Sequence, residues 1–257
     1  MIRALTGAVR AQFQMTTHDL GGDLFNLVVV PFFALTFLAI VQQSGRRGLL
    51  GYALMAPVLI TLWQMALFTA GELVNRDRFL GVLEAVVAAP APFALVMAAR
   101  TATVTAFGLA GFAESWLVAL VVFHVVVPVR HPEVLVPTLV AAAFAASGTA
   151  LLFSAVFALR QSARVFQNSI TFPFYLLGGV LVPVAYLPGW LRPLSRVVFL
   201  SWSADLLRDS IRPGTPAGVP FRLAVVVLLG AAGMAVGWLL LHRMVEHLRR
   251  EGTLALA

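Results

Sequence analysis

"NRDRFLGVLEAVVAAPAPFALVMAAR", Asn75 to Arg100, carries five charged residues within 26 positions, while strongly apolar sequence lies on both sides. How this interruption is read decides the fold. Phe79, Val82, Leu83, Val86 and Val87 recur in it at helical spacing, with Asp77, Arg78 and Glu84 beside them. Pro90 and Pro92 close it. A plain connection between two spans needs only a few residues. The pattern predicts an amphipathic helix of about three turns within residues 75–92. An interface with another protein has this composition, and so has a helix resting on a membrane.

Outward from this stretch the chain reads as membrane-spanning. Of its 257 residues 60% are hydrophobic and only 11% charged, well short of the roughly 25% charge of a soluble domain. Six apolar runs fall near Leu24–Val41, Leu49–Ala70, Ala102–Val127, Val134–Leu159, Ile170–Val184 and Leu223–Leu241. Most have the roughly 20 residues that a hydrocarbon core demands. The fifth is short and interrupted by Gly178, Gly179 and Pro183. The fold class is therefore an all-α integral membrane protein with six transmembrane helices, residues 24–241.

Residues 1–23 lack the continuous apolar region and small-residue cleavage site of a signal peptide. Ile2, Leu5, Val9 and Phe13 fall on one narrow stripe with Arg3, Arg10 and Gln14 to one side, which predicts a helix in the membrane interface; a frayed tail is the alternative. Residues 242–257 read as a cytoplasmic tail. Six spans put both termini on one side. That side holds ten arginines and the other eight, a bias that favours cytoplasmic termini.

All 18 basic residues are arginine, and the net charge is +7. Basic charge in such a chain marks topology and lipid headgroup contact, not nucleic acid. Without lysine there is no phosphate-binding loop and no Schiff base. Without cysteine there is no disulfide, thiolate nucleophile or cysteine-bound zinc. If ATP is used, another chain must bind it.

Two motifs carry a family resemblance. Gly81 to Pro90, "GVLEAVVAAP", resembles the "GTLExLLxTP" segment of type-2 ABC exporter permeases, with Val82 in place of threonine. Gly178 to Arg208, "GGVLVPVAYLPGWLRPLSRVVFLSWSADLLR", is similar to the stretch between the last two spans of that family. Gly179, Pro183, Leu187, Pro188, Trp190 and Arg208 fall in place there; Phe199 stands for a proline and Trp202 for a tyrosine. The resemblance implies that the first segment is a coupling helix seated in a separate cytoplasmic ABC ATPase. Asp77, Arg78, Gly81 and Glu84 would make that contact and Pro90 would end the helix. The second motif implies an outer re-entrant helical turn, with Trp190, Trp202 and Tyr186 as interface anchors. ATP and Mg would sit on the partner. A second permease subunit, identical or homologous, would complete the path in a bacterial inner membrane.

Other candidates have plainer readings beside the functional one. Glu114, within the third run, lines a transport path or subunit seam, or is protonated and bonded to a neighbouring helix. His242 and His247 lie about 140° apart on a helix and do not converge on a metal. Gly233 and Gly237 at GxxxG spacing, and the small residues Ala141–Ala146, suit close packing inside the bundle or a dimer seam. Ser147, Ser154 and His124 raise a membrane-embedded hydrolase as the alternative from another class, although no GxSxG signature is present. A non-catalytic membrane assembly subunit is the remaining one.

Overall fold

The computed structural model describes residues 2–18, 20–45, 50–89, 91–158 and 163–251, and every regular element among them is helical. The helices are α1 Ile2–His18, α2 Leu20–Ser44, α3 Leu50–Gln64, α4 Leu73–Phe79, α5 Leu83–Ala88 and α6 Phe93–Phe107. They continue as α7 Ala110–Val121, α8 Pro132–Ala158, α9 Ala163–Leu177, α10 Arg192–Ser195, α11 Phe199–Asp209 and α12 Val219–Glu251.

Four helical stretches among the described residues are long and apolar enough to cross a membrane: Gly51–Phe79, Phe93–Val121, Pro132–Ala158 and Val219–His247. At 1.5 Å per residue each reaches about 40 Å, beyond the roughly 30 Å of a hydrocarbon core. The first apolar run falls within α2; the fifth overlaps α9 only over residues 170–177, because that helix starts at Ala163 and stops at Leu177, and its 15 residues reach only about 22 Å.

Four boundaries of the longer spans differ from the sequence reading. The second span does not stop at Ala70. A π-helical turn, Met65–Ala70, carries α3 into α4, and the rod ends only at Phe79. Leu73 and Val74 are thereby fully buried, so the first charged residues lie on the end of a span. The third span starts at Phe93, directly after Pro92, whose fixed φ suits a helix start. It ends at Val121, where the valine-rich run to Pro128 turns non-helical and His124 takes φ 52°; β-branched side chains and the restriction before proline disfavour helix there. The last helix runs past Leu241 to Glu251, so residues 242–251 continue it in helical form.

α3 is the bundle's axis, with Ala53 to Trp63 almost wholly buried. α12 lies along α8 at backbone distance. A Cβ added to Gly230 would lie 2.6 Å from Ala145 Cα, and one on Gly237 would lie 2.6 Å from Leu152 N. The glycine spacing thus serves packing within the bundle, and Ala142, Ala145 and Ala146 are its buried counterpart on α8. α1 packs on α6 through Phe13 and Phe107, ring centroids 5.4 Å apart. Its polar side turns inward: Gln12 and Thr16 are buried, whereas Val9 and Phe13 remain exposed.

Candidate functional site

The charged segment is two short helices with a sharp turn between them, not one amphipathic helix. α4 ends because Gly81 adopts φ +67°. The Val82 amide donates to the Asp77 carbonyl at 3.0 Å and the Gly81 amide to that of Arg78 at 3.0 Å. This pair of bonds is a Schellman cap, which needs a residue in the left-handed region. An added Cβ at Gly81 would meet nothing within 4 Å. The glycine is demanded by its conformation.

On the inner side of the turn, α4 is fastened to the bundle by polar bonds. Asn75 Nδ2 donates to the Phe157 carbonyl at 3.3 Å, and Arg78 Nη1 donates to that of Ala158 at 3.2 Å. These carbonyls end α8 and have no partner within their own helix. Asp77, expected beside the helix on display, is only 2% exposed. It accepts both Nη1 and Nη2 of Arg100, the latter at 3.0 Å to Oδ1. The planar fork fits the carboxylate bidentately. Arg100 Nε donates to Gln12 Oε1 at 2.9 Å.

On the outer side of the same turn nothing among the described residues covers the chain. Phe79 is 91% exposed, Leu80 is about half exposed and Val82 about a third, and Glu84 follows on the open face of α5. Leu83 and Val87 pin α5 to the core. The result is a small apolar tip, headed by an aromatic residue and edged by one carboxylate, on a polar mount. Pro90 lies outside the described residues; Ala89 is already extended.

The second motif forms another capped turn. α9 stops at Gly179, φ +61°, with Val180 N bonded to Tyr175 O at 3.0 Å and Gly179 N to Leu176 O at 3.1 Å. A 3-10 turn, Val184–Tyr186, and α10 follow Pro183. Arg208 on α11 is fully buried and donates through Nη2 to the Gly179 carbonyl. Its guanidinium lies 3.8 Å from the ring centroid of Tyr52 and meets Asp205 at 3.3 Å. Burial lowers its pKa, opposed by Tyr52 and Asp205. Leu187 is buried; Pro188, Trp190 and Tyr186 are exposed, and Trp202 Nε1 donates to the Arg196 carbonyl at 2.8 Å.

Glu114 sits on α7, half-buried, on the same helical face as the exposed Leu117 and Val121. Among the described residues it has no hydrogen-bond or ion-pair partner. Ser147 donates to its own helix at Phe144 O, and His124 is exposed on the segment after α7. No nucleophile–base hydrogen bond joins these groups among the described residues.

Arg100, Gln12 and Asn75 escaped the sequence reading of this site. A signal existed for Arg100, an isolated cation at the head of an apolar helix that follows a segment carrying Asp77 and Glu84. Gln12 offered none, because its partner lies 88 residues away.

The family model described as ABC-2 type transporter matches residues 8–211, which takes in the greater part of α1, both capped turns and α11. No curated protein matches the chain.

Proposed function

The chain belongs to the ABC-2 type transporter family as a membrane permease subunit, and from that premise we propose that it serves an ATP-driven exporter whose ATPase docks on the Phe79–Glu84 tip. The family works with an ABC ATPase in general. The observation that carries the specific reading is the tip itself: a nearly fully exposed phenylalanine beside a carboxylate, on a rigidly anchored turn. Exposed aromatic residues on a rigid mount have the composition of interface anchors. A phenylalanine left against water has no stabilising role in the chain that carries it.

In this reading ATP and Mg belong to the ATPase, and closure of two ATPases moves two such tips. A second permease subunit completes the substrate path. Glu114 and the open face of α7 offer a polar contact toward that path or toward the seam. Both termini lie on the cytoplasmic side of a bacterial cell membrane, with six crossings once α2 and α9 are counted. The Gly179–Arg208 turn lies at the opposite surface, where Tyr186 and Trp190 suit the headgroup layer. The domain division is an interfacial helix, a membrane permease domain and a short terminal segment.

The test is charge reversal at Glu84. Co-expressed with its partner ABC ATPase, the Glu84→Arg variant is expected to insert normally but to lose ATPase co-purification and stimulation. A loss that grows with ionic strength places Glu84 at the rim of the contact. Unchanged association at low and high salt rejects the docking surface.

A further inference from the structure

The ion pair behind the tip reaches further than the segment it anchors. One guanidinium, that of Arg100, joins three elements. Its two terminal nitrogens hold Asp77 of α4, and Nε holds Gln12 of α1. Arg100 itself belongs to α6, the head of the third span. Gln12 is buried and donates onward to Thr16 Oγ1 at 3.2 Å. We infer that Asp77, Arg100 and Gln12 are positioning residues that carry displacement of the tip into α6 and α1. This inference rests on the docking reading above.

The geometry supports transmission as well as attachment. Asp77 stands two residues before Phe79 on the same helix, so a push on the tip moves its carboxylate. A bidentate fork fixes direction along with distance, unlike a single bond to a rotating amine. A buried charge has no solvent to turn to if its partner leaves, so the three groups move together. The other route from α4 runs through Asn75 and Arg78 to backbone carbonyls at the end of α8, bonds of 3.3 and 3.2 Å on half-buried groups. The closest and most buried contacts lead to α6 and α1.

α1 is built to follow. It turns Gln12 and Thr16 inward while Val9, Phe13 and Met15 stay exposed. It is tied to α6 by the Arg100–Gln12 bond, the Phe13–Phe107 ring contact and the apolar packing of Val9 and Phe13 along Ala99, Ala102 and Ala106. A helix attached this way reports the position of Arg100.

The chain has no cysteine, so an environment-sensitive fluorophore on Arg10→Cys labels α1 alone. In the complex with the ATPase, ATP binding is expected to shift its emission. Gln12→Leu is expected to abolish that shift and to lower transport per ATP about tenfold, with ATPase co-purification and hydrolysis within about twofold of wild type. Gln12→Glu, which keeps an acceptor for Arg100 Nε, is expected to restore both. A structural role alone would lower the yield of Gln12→Leu and leave transport per ATP in the surviving complex unchanged; that result overturns the relay. An emission shift that persists in Gln12→Leu, or is absent from the wild-type complex, overturns it as well. Failure of the docking reading shows separately, as ATPase association indifferent to Glu84→Arg.

Discussion

Two turns in this chain use the same device to different ends. α4 stops at Gly81 and α9 at Gly179, each through a left-handed glycine and the same pair of backbone bonds. Each turn has a buried arginine behind it. Arg100 is matched by a full carboxylate in bidentate contact, which leaves the turn beyond it uncovered. Arg208 instead grips the turn's own carbonyl, lies over Tyr52 and meets Asp205 more loosely. The cap fixes where the chain reverses. The arginine decides what the reversal is tied to: a mounted but free tip in one case, a turn locked against the start of α3 in the other.

The largest effect should separate the two arginines. Removing Arg100 leaves the Asp77 carboxylate buried and unpaired, and loss of one partner of such a pair costs about 3–5 kcal/mol. Arg208→Ala removes a charged hydrogen bond and a ring contact but strands no buried carboxylate, since Asp205 is 55% exposed. About 2–3 kcal/mol is expected there. Thermal unfolding of the two purified variants in detergent compares them; an equal or inverted order would break the distinction.

Next come the glycines. An L-residue in the left-handed region costs about 1–2 kcal/mol at either position. A Cβ on Gly179 would also lie 2.8 Å from Val184 Cγ2, whereas one on Gly81 meets nothing. Gly179→Ala should therefore destabilise more than Gly81→Ala, and Gly81→Asn should be nearly neutral. If Gly81→Ala proved the more damaging in isolated protein, the tip would not be free.

Accessibility sharpens the comparison without touching stability. In intact cells a cysteine at Arg212, an exposed position just beyond α11, should react with an impermeant reagent, while one at Val82 should not. Reversed labelling would invert the proposed orientation and remove the docking role.

The sequence carried the bundle's apolar runs, because hydrophobicity is a local property, but it read residues 75–92 as one helix and missed the capped turn at Gly81. It misjudged where the second and third spans meet the charged stretch. The π turn at Met65–Ala70 and the start at Pro92 depend on packing that periodicity does not encode. It also put Asp77 on display. At helical spacing a buried carboxylate and a solvated one look alike, and only Arg100, 23 residues away, tells them apart. Glu84 was legible as a displayed residue because its exposure needs no distant partner, whereas Phe79 and Val82, read on one face with Leu83 and Val87, part from them at the Gly81 turn.

The central claim is that the exposed tip is a docking surface, and Phe79→Ala tests it most directly. At 91% exposure the ring contributes almost nothing to the fold, so unfolding of the variant should stay within about 0.5 kcal/mol of wild type. An anchor residue in an interface contributes about 2 kcal/mol or more, so the affinity of the purified permease for its ATPase should fall about 30-fold. Unchanged affinity together with unchanged stability would contradict the claim.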